Sequence, residues 1–201
     1  MEVDKDGRRY GAKFAKSVIC SKARMTYNKV NKILAGDKGL REEYAFLVET
    51  AETMNNLAHA LYKRRIERGA LELDIPEAEI RVDENGKPVE IRFRERGESE
   101  KLIEEFMLQA NEAVAEYMCK RELPTVYRVH ENPDPDKLRV FASFARPFGY
   151  RIDPSKPEDT AQFQTVLRGA KNDPSSACCR RFCCARWRAP ATRMSVLAIT
   201  V

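Results

Sequence analysis

At 201 residues and 23.1 kDa the chain is long enough for one domain with a core of its own. Its composition, 43% hydrophobic and 33% charged with 9 glycines and 10 prolines, excludes collagen-like, mucin-like and low-complexity classes, and no stretch approaches the roughly 18 consecutive apolar residues of a membrane span. The net charge of +5 is concentrated: five arginines and no acidic residue lie in 174–201, leaving 31 basic against 31 acidic residues in 1–173, so basicity gives no phosphate-binding argument for the body of the chain.

Met1 to Asp6 show neither a basic n-region nor an apolar stretch, so no secretory leader is expected and the cytoplasm is the default compartment. Over 8–19, Tyr10, Ala12, Phe14, Val18 and Ile19 follow a rough period of two, which predicts a strand. Thr26 can cap a short helix carrying Val30, Ile33 and Leu34 and closed by Gly36. From Leu40 to Arg68 apolar positions recur every three or four residues, from Tyr44 and Leu47 to Ala58 and Leu61, predicting one long amphipathic helix that ends at Gly69.

Glu79–Val82 and Pro88–Phe93 flank Asp83-Glu84-Asn85-Gly86, and Asn-Gly between alternating segments predicts a hairpin. Ser99 can cap a further helix whose inward stripe reads Leu102, Ile103, Phe106, Ala110, Ala113, Val114 and Tyr117. An extended piece over 125–129 precedes Asp134-Pro135, a cap followed by proline at the first helical position, with Leu138, Phe141, Phe144 and Ala145 on the helix that follows. A last helix is expected over 157–169. The class predicted is α+β and mainly helical, with a short hairpin and long amphipathic helices.

Catalytic chemistry is hard to find in these residues. The two histidines, His59 and His130, stand near no serine or cysteine in a triad-like context. His59 reads as a packing or surface residue of the long helix. His130, at the loop end of Tyr127-Arg128-Val129-His130-Glu131, suits either a functional role or a structural hydrogen bond. Glu104 and Glu105, adjacent on a helix, point about 100° apart and read as a solvated face rather than an acid/base dyad. No glycine-rich phosphate loop and no dense aspartate cluster is present. Four of the six cysteines, Cys178, Cys179, Cys183 and Cys184, crowd into seven tail residues, too close together for the paired knuckles of a structural zinc site, and free thiols are preferred.

Five stretches resemble one family. They are Ser21-Lys22-Ala23-Arg24-Met25-Thr26-Tyr27, Arg68-Gly69-Ala70-Leu71-Glu72-Leu73-Asp74, Leu102-Ile103-Glu104-Glu105-Phe106-Met107-Leu108-Gln109-Ala110-Asn111-Glu112, Tyr127-Arg128-Val129-His130-Glu131 and Asp134-Pro135-Asp136-Lys137-Leu138. In order and spacing they are similar to the middle of the catalytic RNB domain of the ribonuclease R and ribonuclease II family, over most of 1–173. The resemblance implies a magnesium-dependent, processive 3′-to-5′ exoribonuclease acting on single-stranded RNA, with metal ions that activate water. It implies that Tyr27 and Glu104 approach the ribose, where a 2′-hydroxyl can be sensed. It puts Leu73 where relatives often carry an aromatic that stacks on the terminal base, and His130 among the RNA contacts. A leucine at 73 keeps an apolar contact but forgoes stacking worth roughly 1–3 kcal/mol per base.

The departures are equally informative. The aspartate-rich metal motif and the tyrosine that clamps the terminal base are expected upstream of this region, so neither a catalytic residue nor a metal ligand is assigned here. The family's downstream Gly-His-Phe-Gly segment and Thr-Ser-Pro-Ile-Arg-Arg motif are missing. Residues 174–201, rich in Arg, Cys and Ala, with the single tryptophan Trp187 and no acid, read as a reading-frame change giving a disordered tail. Permitted codons for that tail, read in a shifted frame, yield a leucine-rich segment followed by glycine, histidine, an aromatic and glycine. The expectation is therefore a partial RNB domain over 1–173, inactive by itself. A non-catalytic RNA-binding or interaction module is the alternative, and a small zinc protein the third reading. No membrane association and no protein partner is predicted.

Overall fold

The computed structural model describes residues 1–71, 77–94, 96–129, 134–171 and 191–194. These divide into two compact units, one of 1–64 with 74–113 and the other of 65–73 with 114–201.

The first unit opens with β1 (Glu2–Val3) and β2 (Arg9–Gly11), an antiparallel pair. Its turn holds Gly7 at φ +76°, and a Cβ there would stand only 3.1–3.2 Å from the backbone of Ala60 and Leu61 and the Arg64 side chain. Only glycine meets both demands, so Gly7 sets how closely the turn approaches the helix of 45–67. The strand expected over 8–19 is reduced to these three residues: 12–26 take no regular element, and Val18 and Ile19 are exposed. A period-two pattern becomes a strand only with a ladder partner, and the described residues supply none there.

Helix α1 (Tyr27–Leu34) begins as predicted, with Thr26 Oγ1 accepting from the Lys29 N–H, and ends in a Schellman closure around Gly36 at φ +90°. The single helix expected from Leu40 to Arg68 is two. Asp37 accepts from the Leu40 N–H to start α2 (Lys38–Glu43), and Tyr44 leaves helical geometry before α3 (Ala45–Glu67). The Tyr44 hydroxyl accepts from Lys29 Nζ at 2.6 Å, a contact to α1 that periodicity cannot register.

The hairpin forms as predicted, β3 (Glu77–Val82) against β4 (Pro88–Arg94), with Gly86 at φ +78°. One face carries Ile80, Val82, Val89, Ile91 and Phe93, each 57–73% exposed; on the other, Glu90 pairs with Arg81 and Arg92. Helix α4 (Glu98–Lys120) follows. Buried apolar positions of this unit are Ile33, Ala58, Leu61, Leu102 and Ala113. The predicted α4 stripe is narrower than expected: Leu102 and Ala113 are buried, whereas Ile103 and Val114 remain exposed.

The second unit contains β5 (Val126–Val129), α5 (Pro135–Ala145), a 3-10 turn (Arg146–Phe148) and α6 (Thr160–Lys171), with β6 (Ala191–Met194) antiparallel to β5. These four residues of the tail thus stand in a sheet, which departs from the disorder expected of it. Asp134 caps α5 as predicted, accepting from the Asp136 N–H. Leu138, Phe141, Phe163, Val166 and Leu167 form the core, with the Phe141 and Phe163 rings stacked at 6.4 Å. Gln164 Nε2 donates to the carbonyls of Ile66 and Ala70, at the turn where Gly69 (φ +101°) closes α3.

Helix α4 ends in the same closure, with the Leu123 N–H bonded to the Met118 carbonyl and the Glu122 N–H to that of Cys119. The left-handed position is held by Glu122, at φ +53°, where Gly36, Gly69 and Gly149 serve the other ends. A side chain there costs about 1–2 kcal/mol, so Glu122→Gly should stabilise the chain by roughly 0.5–1 kcal/mol. A lower midpoint of urea unfolding would contradict this. The α+β, mainly helical architecture with its hairpin is the one predicted, and no described helix is long and apolar enough to cross a membrane.

Candidate nucleic-acid interface

Of the residues with a claim to RNA chemistry, Tyr27 opens α1 and Glu104 stands six residues after the start of α4, both within the first unit. Tyr27 is the first residue of α1 and is 43% exposed. Its carbonyl accepts from Ser99 Oγ at 3.1 Å, a hydroxyl on α4 that is only 2% exposed. Tyr27, Met25, Ile33, Met54 and Leu102 are among the residues lining a largely apolar cavity of about 630 Å³, to which Arg24 is the one charged contributor among the described residues. An apolar recess lined also by a few hydroxyl side chains and one cation suits a flat, partly polar group such as a nucleobase.

Ser99 is therefore not the helix cap that its residue type suggests. The helix begins at Glu98, and the cap position falls to Gly97, whose N–H donates to Glu100 Oε2 at 3.1 Å. A glutamate three residues into a helix, reaching back to the cap N–H, is half of a capping box. Asn31 completes the arrangement from α1: its Oδ1 accepts from the Ser99 N–H at 2.9 Å and its Nδ2 donates to Glu100 Oε2 at 3.1 Å. A Cβ at 97 would overlap the Asn31 amide and could be accommodated only by displacing it. Burial pushes the Glu100 carboxyl up, but the hydrogen bonds from Asn31, the local backbone, Ser99 and Gly97 outweigh it and hold the group below the ordinary glutamate range.

Around this knot lie exposed charges. Glu104, in α4, pairs with Arg96. It follows Ile103 by one residue, about 100° around the helix, and is not among the residues lining the cavity. Glu105, expected on a solvated face, is 4% exposed, because it lies on the inward side of α4 with Leu102, three residues before it. His59 is a surface residue, one of the two roles expected, and bonds Glu98 at 2.7 Å; that bond, with a second from Lys101, holds the Glu98 carboxyl below its usual range.

Of the four expected RNA contacts the structure thus places Tyr27 at the cavity and Glu104 on the helix that anchors it, while Leu73 and His130 lie outside the described residues. Asn31, Gly97 and Glu100 were not legible as a group. Glu100 offered a signal, three residues after Gly97; Asn31 offered none, being 68 residues from Ser99. Among the described residues no three His, Cys, Asp or Glu side chains converge so as to hold a metal ion. The divalent cation implied by the resemblance therefore finds no ligand set in them, and the four clustered tail cysteines lie outside them.

The sequence profile of the RNB domain matches residues 1–191. Ribonuclease R 1 of Lactococcus lactis is 41% identical over 175 residues, covering 87% of this chain and 21% of that protein. Ribonuclease R of Thermotoga maritima is 41% identical over 176 residues, 87% of this chain and 24% of its own length. The chain spans about a fifth to a quarter of these relatives. Among solved structures, Mycoplasma genitalium RNase R in complex with ribose methylated single-stranded RNA aligns with a TM-score of 0.70 at 24% identity, over 85% of this chain and 26% of that one. The complex of the same protein with double-stranded RNA gives 0.71, over 85% and 30%. These likenesses speak to the fold.

Proposed function

The chain belongs to the RNB-domain family, and from that premise we propose that it is the RNA-positioning part of a 3′-to-5′ exoribonuclease of the ribonuclease R kind, which takes single-stranded RNA and reads its ribose with Tyr27 and Glu104. The observation that carries the proposal is the attachment of Tyr27, at the edge of an apolar cavity, to the helix that bears Glu104. A phenol and a carboxylate can together meet a 2′-hydroxyl, which donates and accepts. Leu73 and His130 are the accompanying contacts in this reading. The setting is cytoplasmic.

Hydrolysis in this reading needs Mg²⁺, for which the described residues bring no three His, Cys, Asp or Glu side chains together. In the same proposal the chain by itself binds without cutting. Residues 174–201 are, in the same proposal, an out-of-frame addition whose arginines supply unspecific attraction to phosphate. A labelled, 3′-tailed RNA incubated with the purified chain and millimolar magnesium should stay full-length. Binding, followed by fluorescence anisotropy, should favour an all-ribose oligomer over one with deoxyribose in its last nucleotides by about fivefold, the worth of one net hydrogen bond. Tyr27→Ala should erase that preference by lowering the affinity for the all-ribose oligomer about fivefold, to that of the deoxyribose-ended one. Metal-dependent release of mononucleotides that survives removal of host nucleases would show the chain to be self-sufficient, and equal binding of both oligomers would remove the ribose reading.

A further inference from the structure

We infer that Asn31 and Glu100 are positioning residues that fix the distance between Tyr27 and Glu104, and so set the preference for ribose over deoxyribose. The inference rests on the ribose-reading role proposed above and adds to it the device that makes it selective.

Helical neighbours four residues apart lie one above the other on the same face. Tyr27 and Asn31 are such a pair on α1, and Glu100 and Glu104 are such a pair on α4. The Asn31–Glu100 hydrogen bond of 3.1 Å therefore joins the two helices one turn away from each of the two reading side chains. The orientation of the Asn31 amide is settled by its partners: its oxygen faces the Ser99 N–H, a donor, and its nitrogen faces a carboxylate, an acceptor. The Ser99 hydroxyl stands 3.1 Å from both the Tyr27 carbonyl and Glu100 Oε2, so the one hydrogen it can donate is shared between the two helices.

A cap alone needs much less than this. The bond from the Gly97 N–H to Glu100 already satisfies the start of α4. Asn31 adds a cross-link that starting the helix does not require, and the space above Gly97 is kept clear for its amide. What the extra link does is remove relative sliding of the two helix starts. A 2′-hydroxyl is recognised over a few tenths of an ångström, since hydrogen bonds weaken steeply outside their narrow range of distance and angle. Two reading groups on independently moving helices would bind both sugars almost equally.

The full chain and its Asn31→Ala and Asn31→Asp variants distinguish this from a merely stabilising role. The readout is the ratio of affinities for the all-ribose oligomer and the oligomer ending in deoxyribose, with the thermal midpoint measured alongside. Asn31→Ala removes the link, and alanine is a good helix former, so the fold is kept. Asn31→Asp sets two carboxylates against each other. In both the ratio should fall from about fivefold to within about twofold of unity. A wild-type ratio of one would overturn both this inference and the ribose reading. A wild-type preference that survives in Asn31→Ala and Asn31→Asp, with only the thermal midpoint lowered, would overturn the positioning role alone.

Discussion

Phe163→Ala should destabilise the second unit by about 3–5 kcal/mol, the usual cost of emptying a large aromatic site in a packed core. The side chain is fully buried, stacks on Phe141 and shares its cluster with Val166 and Leu167. The cluster links α5 to α6 and has Leu71, Tyr150 and Ile152 packed against it, so the loss falls on contacts among several segments at once. Val140→Ala, on α5 but 46% exposed, is the matched control and should change stability by less than about 0.5 kcal/mol. Chemical denaturation followed by far-ultraviolet circular dichroism separates the two. Equal midpoint shifts would mean that this cluster is not the core of the unit.

Replacing Arg180, Arg181, Arg186, Arg188 and Arg193 together by glutamine should abolish most of the unspecific affinity for single-stranded RNA. Each phosphate neutralised contributes about −0.7 to the slope of log affinity against log salt on a single strand. Five arginines therefore allow a slope near −3.5, or a loss of about a hundredfold between 50 and 200 mM salt. With them gone the charge that remains is balanced, 31 basic against 31 acidic residues, and the slope should flatten towards zero. The substitution keeps chain length and the backbone of β6 unchanged, so it tests charge and not truncation. A steep slope retained by the variant would place the phosphate contacts in the body of the chain.

Local signals carried the reading of the sequence wherever the deciding interaction is itself local. Thr26 and Asp134 cap the helices they were expected to cap because a side-chain oxygen and an N–H two or three residues on are close in any sequence. Asn85-Gly86 made its hairpin for the same reason. The misreadings share an origin too. Tyr44 breaks a periodic helix beside a contact to Lys29, and Ser99 is diverted from capping by the Tyr27 carbonyl, 72 residues away in the chain. Glu105 looks like a surface residue by type and is buried by the side of α4 it occupies. At the candidate site Tyr27 and Glu104 came from resemblance, whereas the Asn31–Glu100 link became visible only in three dimensions. Periodicity says which face of a helix is apolar, but not which helix lies against it.

The hairpin of β3 and β4 bears on how the protein behaves in a tube. Ile80, Ile91 and Phe93 offer a smooth, uncharged face, and among the described residues neither strand has a second neighbour, so both outer edges present open backbone donors and acceptors. Such a ribbon can be extended by another copy from either side and stacked upon from its greasy face. Colloidal behaviour should accordingly depend on concentration: light scattering should rise with protein load and with added sulfate, which strengthens apolar association. A single lysine in place of Ile91, at the middle of that face, should keep the protein dispersed at loads where the parent turns cloudy, without disturbing Tyr27, Asn31 or Glu100.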